Sequence, residues 1–195
     1  MATTGFGLRL VSRVGGGQPR IREYYVPATN STALGENDVV QLPATGALDP
    51  TNQVPVVQAF VSGHVPLGVV VGFRPIAALP YTGNLPASTA AYIDVCDDPE
   101  AIYEVQEDAV SSVVTAAQVG AMFNAPLNIV ASTGNTSGTM LTSASASASI
   151  NDVKIIGVRR DASNAVGQSG GAILLVKLLG PVIPGAAIES TVSHS

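Results

Sequence analysis

A chain of 195 residues has room for one domain with a substantial core, and a net charge of −5 argues against a general nucleic-acid binder. Charged residues make up only 12% and hydrophobic ones 46%, against the ~25% charged usual for a soluble domain. The surface must then be covered by small polar residues or by neighbouring subunits. Thirteen prolines and twenty glycines exclude long helices. They point to an all-β fold, a jelly-roll-like sandwich or barrel with at most one or two short helices.

Residues 1–20 read as an extended N-terminal arm, 21–180 as a β-rich core and 181–195 as a C-terminal tail. Four arginines (Arg9, Arg13, Arg20 and Arg22) and no acid occupy the first 22 residues, and Gly15-Gly16-Gly17 looks like a flexible joint. Phe6, Leu8, Leu10 and Val11 are too few to fold alone. The arm is expected to be mobile in the free subunit and to order on an acidic partner surface. The segment lacks the apolar h-region of a signal peptide.

Ile21–Pro27 is a strand by content, and Asp38–Leu42 is a short strand closed by Pro43. Val54–Val61 and Leu67–Phe73 suggest a hairpin around Ser62-Gly63-His64. The second of these arms, LGVVVGF, is apolar on both faces, as a central strand would be. Arg74–Ser88 is a long loop with three prolines.

Ala91–Asp108, AYIDVCDDPEAIYEVQED, organises the middle of the chain. Two arms rich in β-branched and aromatic residues flank Asp97-Asp98-Pro99-Glu100, and Pro99 suits the second position of a turn. The reading is a hairpin with one dry and one acidic face. Seven of the fourteen acidic residues lie between Asp94 and Asp108, with no Lys or Arg among them. Asp94 and Glu104 are the carboxylates expected to meet a basic partner.

Thr115-Ala116-Ala117-Gln118 has capping-box spacing and opens the one plausible helix, ending by Phe123. Ile129 and Val130 mark a weak strand, and Ser143–Ser149 alternates Ser and Ala. Val153–Arg159 and Ala172–Leu179 are the last strands. Gly170–Ile188 is apolar enough to imitate a membrane span, but Pro181, Pro184 and Gly185 interrupt it well short of the ~20 residues required.

Three chemistries have candidate residues. Gly167-Gln168-Ser169-Gly170-Gly171 satisfies G-x-S-x-G, and His64, then Asp94 or Asp97, then Ser169 gives a protease-like order. A polar loop precedes the serine and a strand follows it, the reverse of a hydrolase elbow. Asp94, Asp97, Asp98, Glu100 and Glu104 offer oxygen ligands for Ca²⁺ without EF-hand spacing. One Cys and two His leave no ligand set for structural zinc. The residues thus point to no catalytic group, metal or cofactor.

Several pieces, in order, carry a resemblance. They are Gly7-Leu8-Arg9, Arg22-Glu23-Tyr24-Tyr25-Val26-Pro27-Ala28, Leu67-Gly68-Val69-Val70-Val71-Gly72-Phe73 and Pro86-Ala87-Ser88-Thr89-Ala90. They continue with the Asp97-Asp98-Pro99 turn, Glu104-Val105-Gln106-Glu107-Asp108 and Val153-Lys154-Ile155-Ile156-Gly157-Val158. Together the pattern resembles the capsid decoration, or cement, proteins of tailed bacteriophages. The Ser/Ala tract and the tail beyond Leu179 depart from it. The resemblance implies a structural virion protein, made in the host cytoplasm, on the outer surface of an icosahedral head. There it would bridge neighbouring major capsid protein subunits. It implies a homo-oligomer, a trimer ahead of a dimer, with no nucleic acid, membrane or cofactor. Two alternatives stay open: a serine hydrolase using Ser169, and a tail or receptor-binding component of the virion.

Overall fold

The computed structural model describes residues 5–75, 83–108, 113–120, 122–130, 137–142, 152–167 and 171–180. The N-terminal half contributes β1 (Arg9–Arg13), β2 (Ile21–Val26), β3 (Leu34–Gly35), β4 (Val39–Gln41), β5 (Gln58–Ala59) and β6 (Gly68–Phe73). Then come β7 (Asn84–Leu85), β8 (Ala91–Cys96), β9 (Ala101–Gln106) and the helix α1 (Ala116–Gly120). The rest is β10 (Asn124–Ala125), β11 (Leu127–Asn128), β12 (Met140–Leu141), β13 (Val153–Val158) and β14 (Ile173–Leu178).

Two five-stranded antiparallel sheets form the all-β sandwich, with strand orders β1-β9-β14-β13-β10 and β2-β8-β6-β4-β5. No barrel closes. Small ladders β3–β7 and β11–β12 flank them. Alternation along the strands decides what lies between the sheets. Tyr103 and Val105 of β9, Leu174 and Val176 of β14 and Ile155 of β13 meet Val39, Val69 and Cys96 of the second sheet. A second cluster covers the far face of the second sheet, where Tyr24, Val40, Val70, Ile93 and Val95 pack with Leu34, Val57, Leu67 and Leu85. That sheet is buried on both faces, which is why the central strand β6 reads as a continuous apolar run. Among the described residues no second cluster covers the outer face of the first sheet; Ile102, Ile173 and Leu175 are half-buried there.

Three expectations need correcting. First, β8 and β9 are not a hairpin: they lie in different sheets, β8 between β2 and β6 and β9 between β1 and β14. The turn chemistry is as expected, since Ala101 N donates to Asp98 O at 3.1 Å with Pro99 at the second position. It makes a corner between layers instead of a return within one. Second, β5 does not pair with β6, because β4 lies between them.

Third, the N-terminal segment is no free arm. β1 is an edge strand of the first sheet, Arg9 opposite Glu104 and Leu10 opposite Tyr103. Leu8 is wholly buried in the inter-sheet core and Leu10 packs against it. Too short to build a core, these side chains complete one that the rest of the chain supplies.

The helix forms where its cap predicts. Gln118 Oε1 accepts from Thr115 N at 2.8 Å, and Gln118 N donates back to Thr115 Oγ1 at 3.3 Å. The segment that imitated a span supplies β14, and no described helix is long and apolar enough to cross a membrane. The Ser/Ala tract 143–149 and the tail 181–195 lie outside the described residues.

Candidate functional site

The corner between β8 and β9 gathers a dense set of charged side chains. Asp97 follows β8 directly, its side chain only 1% exposed. It accepts from Arg20 Nε at 2.8 Å, Arg22 Nε at 2.6 Å and Tyr24 Oη at 2.6 Å. Arg20 Nη2 also donates to the Asp97 carbonyl at 2.7 Å. Asp98, 6% exposed, takes Arg13 Nε at 2.8 Å, Arg20 N at 3.0 Å and Glu100 N at 2.9 Å. Just before β9, Glu100 pairs with Lys177 of β14 at 2.8 Å. Glu104 lies under Arg9, with Arg159 at 3.7 Å. Phe6 adds its ring to Arg9, 5.2 Å from the guanidinium carbon.

The segment that brings the arginines here must cross from one sheet to the other. Gly15, Gly16 and Gly17 all have positive φ (77°, 79° and 85°), so the connection from β1 to β2 turns in a backbone region open chiefly to glycine. Val14 N donates to Glu100 O at 2.9 Å on one side of this turn, and Ile21 pairs with Cys96 on the other. The β1–β2 connection therefore runs alongside the β8–β9 corner, and the ion pairs clasp the two together.

The electrostatics follow from this packing. Burial pushes the Asp97 carboxyl up, but bonds from Tyr24, Arg22 and Arg20 more than offset it, and it titrates below the usual carboxylate range. Asp98 behaves likewise: burial raises it, while Glu100 N, Arg20 N and Arg13 pull it lower still. Burial and then the Asp97 bond raise the Tyr24 phenol, which stays protonated and donates. The acids face inward and the arginines outward. Asp97, Asp98 and Glu104 side chains are 1–7% exposed, whereas Arg9, Arg13, Arg20 and Arg22 are 36–53% exposed. Three exposed valine and isoleucine side chains, Val11, Val14 and Ile21, line the same edge.

Of the six residues expected to make contacts, Arg9, Arg13, Arg20, Arg22 and Glu104 come together here. Asp94 stands apart, bonded to Arg74 at 2.9 Å. The basic partner expected for Glu104 and Asp94 is supplied by this chain's own Arg9, Arg159 and Arg74. The sequence reading missed Tyr24, Arg159 and Lys177, and it read Asp97 and Asp98 as turn residues instead of the hub. A signal existed: an all-basic block of four arginines and an all-acidic block of seven carboxylates in one chain.

His64 is exposed in a turn, its N–H bonded to Val61 O at 3.1 Å. Its two proposed carboxylate partners are held by arginines, and Ser169 lies outside the described residues. Among the described residues no cluster of three or more His, Cys, Asp or Glu side chains is arranged to hold a metal. Other buried carboxylates tie down loops. Asp152 accepts from Ser62 Oγ at 2.6 Å and Leu127 N at 2.9 Å, and Glu107 from Ala172 N at 3.0 Å and from Val114 N. No protein-family model, curated protein or solved structure matches this chain.

Proposed function

We propose that this chain is a structural virion protein that decorates and stabilises an icosahedral phage head by bridging neighbouring major capsid protein subunits. The observation that carries this reading is the corner clasp. Its carboxylates hold the arginines from within, so four guanidinium groups are fixed in place yet 36–53% exposed beside Val11, Val14 and Ile21. A pre-ordered rim of forked donors around apolar side chains suits docking on a carboxylate-bearing protein surface at small entropic cost. β1, the edge strand of its sheet, has no second strand partner among the described residues and leaves backbone groups for such a contact. The sequence resemblance to cement proteins points the same way. In this reading the protein sits on the outer capsid surface as a homo-oligomer, a trimer ahead of a dimer.

Co-sedimentation of the purified protein with empty shells and with free capsid subunits tests the proposal. Binding to shells but not to free subunits is expected, because a bridge needs two neighbouring subunits in place. Binding to neither, or retention only with tail structures, would overturn it.

A further inference from the structure

Residues 5–14 form a detachable element. Among the described strands β1 pairs with β9 alone, while β2, which follows it in the chain, lies in the other sheet. The segment's other ties are also to distant parts of the body. Gly7 N donates to Thr139 O at 3.2 Å, Leu8 N to Asn37 O at 2.9 Å and Val14 N to Glu100 O at 2.9 Å. Leu8 plugs the inter-sheet core, and Arg13 reaches Asp98. The fit is close: a Cβ on Gly5 would lie 2.4 Å from Gly138 O, and one on Gly7 2.5 Å from Asn37 O. Bonds to the chain just beyond it stay within the turn, from Gly16 N to Arg13 O at 3.1 Å and from Arg13 Nη1 to Gly16 O at 3.4 Å. That turn is Gly15-Gly16-Gly17, all at positive φ, and a Cβ added to any of them would meet nothing within 4 Å. Val14 on one side of it and Ile21 on the other are 44% and 50% exposed.

We infer that this segment is exchanged between copies of the chain: in an oligomer it swings out at the glycine turn and completes the first sheet of a neighbour. The partner at the β1 place of each body is then a second copy's β1. Every contact that the segment makes with its own body is available unchanged in a neighbour's, so exchange loses none of them and adds what the opened connections bury. Residues 14–20, once straightened, span on the order of 20 Å. Laid side by side, two such connections cover Val14 and Ile21, apolar side chains that the closed form leaves in water. Asp98 then takes Arg20 N from its own chain and the Arg13 guanidinium from the neighbour, so the clasp closes across the boundary. The inference supplies the contact between copies for the homo-oligomer proposed above. Its test involves no capsid, so the two readings can fail separately.

The test mixes isotopically labelled and unlabelled full-length chain in equal amounts, unfolded and then refolded together at high concentration, and separates the oligomer by size. Leu10 and Tyr103 face each other across the β1–β9 ladder. In the oligomer they should give isotope-filtered NOEs from one chain to the other. A second arm combines Gly15→Ala, Gly16→Ala and Gly17→Ala. Each position has room for a methyl group, but its left-handed backbone disfavours alanine by about fivefold or more. An extended connection suits alanine, so the variant should associate at least about tenfold more tightly than the parent. The absence of any oligomer, an oligomer without interchain Leu10–Tyr103 contacts, or association unchanged or weakened in the alanine variant would overturn the inference.

Discussion

Replacing Asp97 with Asn tests the clasp at its hub. The shape of the side chain is kept and its charge removed. Three short bonds converge on this carboxylate, from Arg20 at 2.8 Å, Arg22 at 2.6 Å and Tyr24 at 2.6 Å. Hydrogen bonds to a charged group contribute about 1.5–3 kcal/mol each when buried. The two guanidinium groups are 39% and 52% exposed and regain water when released, so their share is discounted strongly. An Asn oxygen still accepts from Tyr24, but its amide would point a donor at an arginine. The net cost is about 3 kcal/mol, a fall in melting temperature of roughly 6–12 °C for a domain of this size.

The pH dependence gives a second readout. The folded carboxyl titrates below its unfolded value of about 3.9, so between the two the unfolded state binds more protons. The stabilisation is fully present above the unfolded value and is lost as pH falls through the folded one. Calorimetry across this range should show Asp97→Asn converging on the parent in acid and diverging above about pH 4. A melting temperature within about 2 °C of the parent at neutral pH, the effect of a single exposed pair, would refute the reasoning.

Two further predictions concern the core. Leu8→Ala should cost about 2–5 kcal/mol by denaturant melting, since that side chain is wholly buried, and deleting residues 1–18 should destabilise the isolated domain; a truncated chain as stable as the parent would restore the free-arm picture. Thr139 is 1% exposed and its hydroxyl has no hydrogen-bond partner among the described atoms, so Thr139→Val should stabilise the fold by about 1 kcal/mol. A loss of stability in that variant would place a bonded water at the hydroxyl.

The sequence disclosed faces better than partners. Alternation in AYIDVC and AIYEVQ places Ile93 and Val95 on one face and Glu104 and Gln106 on another, as the sheets have them. LGVVVGF was legible as a central strand because only a strand buried on both sides carries so little polarity. Nothing local in either arm of the Asp97–Glu100 turn says whether they pair with each other or with distant strands. That choice belongs to long-range packing, where β2 and β6 occupy both edges of β8. The N-terminal segment was misread for a related reason. Leu8 and Leu10 are few by local count, yet they fill a place in a core built by residues drawn from Val39 to Leu178. The arginines were read as contacts for a partner; in the fold they bond acids of the same chain. A residue count can register complementary blocks but not that a glycine turn lays one beside the other.

The measurement that bears most directly on the account is electron-microscopic reconstruction of heads decorated with this protein. The account predicts density on the outer surface, between neighbouring capsomers, with the arginine-faced corner turned toward capsid carboxylates. Density confined to the tail, or its absence from particles under conditions that keep the protein folded, would contradict it.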